Sequence, residues 1–168
     1  NPHAISAQTR ELTVTLNGGL SVPVPLSANR LDGILFNGVP IQMREAVCAG
    51  SHCDQSSGDA NPLYEPALYG IDDHNAHVLS DGSYHYHGDP HTLYDEPTDS
   101  ASPVIGFAAD GLPIYGPWIN DDGVIRKASS SYQLKTGYRP EPYDAYPYDG
   151  SFVDDYEYVA DSGDLDMC

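Results

Sequence analysis

Positively charged residues are scarce in this sequence, with seven Lys and Arg against twenty-five Asp and Glu and a net charge of −18. Nucleic acids and anionic membrane surfaces would be repelled by such a protein, so neither is a favoured partner. The acidity has three competing explanations: solubility in a salty medium, calcium coordination by Asp-rich loops, or attraction of a cationic partner. Aspartate outnumbers glutamate nineteen to six, which suits loops and oxygen-ligand sites and puts a basic partner last.

The sequence also lacks any apolar run long enough to span a bilayer, so we expect no membrane insertion. It contains no signal-like segment and begins with Asn1 instead of Met. We therefore expect a mature chain from which a leader has been removed, located outside the cell or in a periplasm.

Cysteine is rare, with three residues in the chain. Cys48 and Cys53 bracket the hexapeptide "CAGSHC", and this spacing predicts a small disulfide-closed loop in an oxidising compartment. Cys168 is then the odd cysteine. In a secreted chain it indicates a partner cysteine in another chain or in a further C-terminal segment.

Long helices are not expected, because sixteen glycines and fourteen prolines interrupt the 168 residues. The pattern predicts one all-β or β-rich domain of hairpins with long ordered loops. Residues 11–26 predict a hairpin with its turn at Asn17-Gly18. "SPVIGFAADGLPIYGPW" (102–118) predicts another, whose expected buried residues are Val104, Phe107, Ile114 and Trp118. A helical turn is expected within the loop 44–73, and a strand within "SFVDDYEYV" (151–159).

Five of the seven histidines fall within residues 74–91, around the stretch "DGSYHYHGDPH". On a strand, His85 and His87 would share one face, and Tyr84 and Tyr86 the other. The turn "LSDG" would return His77 alongside this strand as a third ligand. Three imidazoles of this kind suit a transition metal ion, Zn or Cu. The two tyrosines would pack against the site or line it.

Two more histidines, His74 and His91, are reserve ligands for the same ion. Two readings without a metal remain open. One is an acid–base site in which His and Tyr exchange protons with a substrate. The other is a purely structural hydrogen-bonded cluster.

Two acidic clusters are candidates for calcium. "INDDG" (119–123) is better explained as a solvated turn. The second cluster has three carboxylates close in sequence, which repel one another unless a cation neutralises them. Its members are Asp161, Asp164 and Asp166.

Three motifs in order resemble the YHYH-domain proteins: "NAHVLSDGSYHYHG" (75–88), "GFAADGLPIYGP" (106–117) and "YDGSFVDDYEYVADSGDLDMC" (148–168). The resemblance implies a single YHYH-type domain over 1–168 and a secreted or lipoprotein-like bacterial context. In the family pattern, the "DLD-x-C" element continues into Asn-Gly and a segment with a second Tyr-His-Tyr strand and another cysteine. The resemblance therefore implies a further C-terminal segment after Cys168, with a cysteine partner and another candidate histidine ligand.

Two functions are consistent with these observations. The first is a secreted protein that binds a metal ion through its histidines, with metal-dependent hydrolysis as the default reaction if it is an enzyme. The second is a non-enzymatic extracellular module whose Tyr- and Asp-rich surface binds sugar, calcium or copies of itself. A second chain or a homo-oligomer would form through Cys168 or through the Tyr-rich surface.

Overall fold

The computed structural model describes residues 2–14, 31–44, 53–56, 58–96 and 99–167. Within these ranges the protein is β-rich, with ten strands and two short helical segments, as the sequence predicts. The helical segments are α1 (Pro66–Tyr69) and a single 3-10 turn (Val153–Asp155). The longer of the two has four residues, which is far too short to cross a membrane.

Six strands form the main sheet, in the order β3-β4-β2-β1-β5-β6. All neighbours are antiparallel except β2 and β4, which run parallel. The six strands are β1 (Gly33–Leu35), β2 (Pro40–Ile41), β3 (Ala76–Val78), β4 (Tyr84–Tyr86), β5 (Val104–Ala108) and β6 (Pro113–Tyr115).

Four further strands form two separate antiparallel pairs. β7 (Trp118–Asp121) and β8 (Val124–Lys127) make a hairpin. β9 (Tyr132–Leu134) pairs with β10 (Tyr156–Tyr158), which is the short strand that the sequence predicts near the end of the chain.

The dipeptides Asp32-Gly33 and Asn37-Gly38, both typical of turns, flank β1, and only the second makes a turn. Gly38 takes a φ of 82° between β1 and β2, where the side-chain oxygen of Asn37 accepts a hydrogen bond from the Val39 amide. Gly33 instead lies at the start of β1, where the sheet leaves no room for a larger residue. A Cβ at this position would lie 2.8 Å from the carbonyl oxygen of Phe107 on β5.

The predicted β5–β6 hairpin is present, with Gly111 at a φ of 91° in its turn. Its buried residue is different from those expected. Ile105 is 2 % exposed, because the register shifts between Val104 and Gly106 and changes which side chains face the core. The four residues expected to be buried are only half-buried: Val104, Phe107, Ile114 and Trp118.

The buried hydrophobic cluster joins the two halves of the main sheet. It consists of Leu35, Ala76, Tyr86 and Ile105, from β1, β3, β4 and β5. The strand that carries the YHYH tetrapeptide is therefore fixed on one side by the protein core.

The hairpin predicted for residues 11–26 lies mostly outside the described residues. Residues 11–14 are described and form no strand. Cys48 and Cys168 also lie outside the described residues. Cys53 is disulfide-bonded, and its pairing with Cys48 stays a prediction.

Candidate metal centre

The β3–β4 hairpin brings three histidines together. His77 on β3 lies directly opposite His85 on β4 in the antiparallel register. His87 comes two residues after His85, directly after the end of β4, and its backbone amide donates to the carbonyl of Asn75, 2.7 Å away. Side chains two residues apart on a strand project to the same face, so His87 joins His77 and His85. We call these three histidines the triad.

The triad has the spacing of a metal-binding group. The three ring centroids are 4.6 to 4.8 Å apart, and one nitrogen from each ring lies within 4.8 Å of the others. The Nε2 atoms of His77 and His87 are 3.2 Å apart. Two nitrogens bound tetrahedrally to one zinc ion at ordinary bond lengths are about 3.3 Å apart. The triad could therefore hold a metal ion with little rearrangement of these two rings.

A backbone carbonyl orients the first histidine. His77 Nδ1 donates a hydrogen bond to the carbonyl oxygen of Tyr69, 2.7 Å away, so Nδ1 carries the proton and Nε2 offers a lone pair. Metal-binding histidines commonly use their second nitrogen in this way. Tyr69 ends α1, which has a proline at its start and the left-handed Gly70 (φ 67°) as its C-cap.

The other two histidines keep ring nitrogens that are buried and unpaired among the described residues. These atoms are Nδ1 and Nε2 of His85 and Nδ1 of His87. A buried polar atom without a hydrogen bond costs free energy and is uncommon in native proteins. Imidazole nitrogens that find no hydrogen-bond partner in the described part of the chain are consistent with a bound ligand as their partner.

Burial keeps His85 and His87 neutral at physiological pH. The pKa of His85 is lowered to about 4, first by burial and then by the nearby His77 and Arg10. The pKa of His87 is lowered to about 3, again first by burial and then by the other two imidazoles. Neutral imidazole is the form that binds metal ions. His85 and His87 would therefore lose their ability to bind a metal ion only when acidification protonates them.

The tyrosines of the same strand lie on the opposite face, as the alternation predicts. Tyr86 packs in the hydrophobic cluster, and its hydroxyl accepts a hydrogen bond from the Asn37 side chain. Tyr84 donates to the Asp72 carboxylate at 2.6 Å, and burial together with this carboxylate raises the pKa of its phenol. Both tyrosines therefore support the strand from behind instead of lining the triad.

The tetrapeptide Tyr84-His85-Tyr86-His87 matches the name of a known family. A family model described as "YHYH protein" matches residues 12–168. The chain belongs to the YHYH family. Comparisons with curated proteins and with solved structures find no match. The family assignment confirms the resemblance seen in the sequence and extends over nearly all of the chain.

The two reserve histidines are not part of the triad. His74 Nδ1 donates to the carbonyl of Pro90 at 2.8 Å. His91 has an exposed side chain whose Nδ1 lies 3.7 Å from an Asp89 carboxylate oxygen. Within the described ranges, the triad is the one group of three or more His, Cys, Asp or Glu whose ligand atoms converge.

The acidic clusters have other partners. Asp164 accepts hydrogen bonds from both terminal nitrogens of Arg126 and from the amide and hydroxyl of Ser129. Asp161 and Asp166 are exposed and do not converge with it as a metal-binding group. The guanidinium of Arg126 thus neutralises the charge of Asp164, and calcium binding by this cluster stays a prediction. "INDDG" forms the β7–β8 turn, as expected.

One element of the site was not evident from the sequence. The Tyr69 carbonyl is a backbone group, and no residue type signals its role. Pro66 and Gly70, which begin and end the helical turn, are the residues that could have located Tyr69. The sequence analysis predicts only a helical turn within the loop 44–73.

Proposed function

We propose that this YHYH protein is a metal-binding protein whose triad of His77, His85 and His87 holds a transition metal ion, Zn or Cu. The observation that supports the proposal most directly is the convergence of three buried imidazoles, two of which leave ring nitrogens unpaired among the described residues. Three neutral nitrogen ligands suit both metals. A site made only of carboxylate and carbonyl oxygens would point instead to Mg, Ca or Mn.

The burial of the triad favours an ion that is retained. Only small fractions of the three residues are exposed: 5 % of His77, 2 % of His85 and 2 % of His87. A three-histidine set leaves a fourth coordination position, which in catalytic zinc sites holds water or substrate. A bound ion could polarise a substrate or activate that water. Metal binding is therefore the main part of the proposal. If the protein is an enzyme, hydrolysis is the reaction that the bound ion would catalyse.

An oxidising, extracytoplasmic location is part of the proposal. Cys53 is disulfide-bonded, and disulfides persist in secreted and periplasmic proteins. The strongly acidic composition suits a soluble exported chain.

Metal analysis of the purified protein tests the proposal. We expect about one Zn or Cu ion per chain and the loss of that ion in the His85→Ala/His87→Ala variant. The matched control is His74→Ala/His91→Ala, which removes the same number of imidazoles from outside the triad and should keep the ion. A native protein without stoichiometric transition metal, after incubation with zinc and with copper, would contradict the proposal.

A second candidate function is a non-enzymatic extracellular module that binds through its tyrosines. The observation that favours it is the exposure of large aromatic side chains, with Tyr138 at 64 % and Tyr115 at 58 %. Exposed tyrosine is common in binding surfaces. Sedimentation of the protein over a range of concentrations, with Tyr138→Ser/Tyr115→Ser as the variant, would reveal self-association through this surface. A protein that stays monomeric at every concentration would exclude self-association as the role of this surface.

A further inference from the structure

An N-terminal segment crosses the turn that joins the two ligand-bearing strands. Residues 5–10, which we call the strap, form no regular secondary structure and are exposed. The Ser6 amide donates to the Gly82 carbonyl at 2.9 Å. The strap therefore contacts the β3–β4 hairpin at its tip, between His77 and His85.

Asp81 is the centre of the remaining contacts. Its carbonyl oxygen accepts hydrogen bonds from the Ser6 hydroxyl at 3.3 Å and from the side-chain amide of Gln8 at 3.2 Å. Its carboxylate lies 3.8 Å from the Arg10 guanidinium. The same carboxylate accepts hydrogen bonds from the amide and hydroxyl of Ser83. One residue thus links the strap to the conformation of the turn.

The fit between strap and turn is close. A Cβ at Gly82 would lie 2.1 Å from the Ser6 hydroxyl oxygen and 2.8 Å from the Ser6 Cβ. Gly82 is buried although it sits at the tip of a hairpin, and such tips are usually open to solvent. This contact is formed by a segment nearly eighty positions away in sequence.

We propose that the strap regulates metal exchange at the triad by holding the β3–β4 turn closed. This inference rests on the proposed metal binding. His77 and His85 are held in register by the pairing of β3 and β4, and the turn Leu79–Ser83 closes that pairing with two backbone hydrogen bonds. With the strap docked, the hairpin stays closed and a bound ion leaves slowly. When the strap detaches, the turn opens locally and the ion exchanges faster.

The test uses zinc-loaded full-length chain and measures the rate at which an excess of a coloured chelator removes the zinc. The variant is Ser6→Ala/Gln8→Ala/Arg10→Ala, which deletes the three side-chain contacts to Asp81 and no triad residue. We expect zinc release to become about tenfold faster, because that factor corresponds to the net free energy of one or two hydrogen bonds. The zinc content before chelation should not change.

The matched control is Arg126→Ala, which removes an arginine of similar exposure from an ion pair on β8. Its zinc release should equal that of the unaltered chain. Amide hydrogen exchange gives a second readout: the variant should lose protection at Gly82 and Ser83 and keep it in β9 and β10. If the unaltered chain retains neither zinc nor copper, the proposed function fails and the strap proposal with it; if it retains only copper, the same release experiment is made on the copper-loaded chain. If it holds zinc and the triple variant releases it at the same rate, only the strap proposal is overturned.

Discussion

Arg139 and Asp155 form an ion pair in the protein interior, with Nη2 and Oδ2 separated by 2.6 Å and both side chains 2 % exposed. The arginine also contacts Asp149 and Ser151 and lies over the ring of Phe152. The hydrogen bonds that Arg139 donates to Asp155, followed by its attraction to the charges of Asp155 and Asp149, raise the pKa of the guanidinium. The pair fixes the tyrosine-rich loop that follows Gly137 to the 3-10 turn.

Removing one member of this pair should destabilise the protein strongly. Asp155→Ala leaves Arg139 buried without its main partner, which costs about 3–5 kcal/mol of unfolding free energy. Denaturant unfolding measures the loss. Asp121→Ala is the control, since it removes a carboxylate from an exposed ion pair with Arg126 and should change little. Equal effects of the two substitutions would contradict the role given to the buried pair.

Zinc should stabilise the protein through the triad. A ligand that binds only the folded state adds about 2.7 kcal/mol at a hundredfold excess over its dissociation constant. Thermal unfolding should therefore shift upward with added zinc in the unaltered chain and in His91→Ala, but not in His87→Ala. A shift that persists in His87→Ala would mean that zinc binds elsewhere.

The metal-free protein should lose stability as the pH falls from about 6.5 towards 3. In this window the unfolded chain protonates His85 and His87, whereas the folded chain holds their pKa values at about 4 and about 3. Stability contributed by the neutral imidazoles is fully present above pH 6.5. It is lost at about 1.4 kcal/mol per pH unit for each imidazole that stays neutral. Chemical denaturation at a series of pH values, with a chelator present, measures the slope.

A matched variant separates this effect from the titration of carboxylates. His85→Leu/His87→Leu should flatten the curve between pH 6.5 and 4. Asp164 and Asp149 have lowered pKa values, so their contribution is lost only as the pH falls through the acid range below about 4. An unchanged slope in the double variant would show that the triad is not the titrating group.

Two glycines with nearly the same backbone angle distinguish backbone strain from contact with the strap. Gly82 has a φ of 81° and Gly38 a φ of 82°, but a Cβ at Gly38 would meet nothing within 4 Å. Gly38→Ala should therefore cost about 1 kcal/mol from backbone strain alone. Gly82→Ala should cost clearly more, because the methyl group collides with Ser6. If denaturant unfolding shows the same loss of unfolding free energy for both substitutions, the strap moves away from the added methyl group without destabilising the protein.

The sequence predicts those parts of the site that depend on neighbouring residues. The alternation of Tyr and His along β4 and the return of His77 after "LSDG" follow from strand geometry and a short turn. Contacts between distant residues have no such local signal. The pairing of Asp164 with Arg126, thirty-eight positions earlier, could not be inferred from a cluster of carboxylates. Ile105 is buried next to a shift in the β5–β6 register, and the alternating pattern of the sequence alone does not reveal such a shift.

All three triad histidines come from eleven consecutive residues, His77 to His87. The order of events in folding follows from this arrangement. Closing so short a loop costs little chain entropy, and hairpins form far faster than sheets that join distant segments. The hairpin is joined to the core sheet through the parallel pairing of Ile41 with Tyr86, a contact between residues 45 positions apart. The imidazoles can therefore meet before that pairing is made, and an ion present during folding would stabilise the hairpin on which the rest of the sheet assembles.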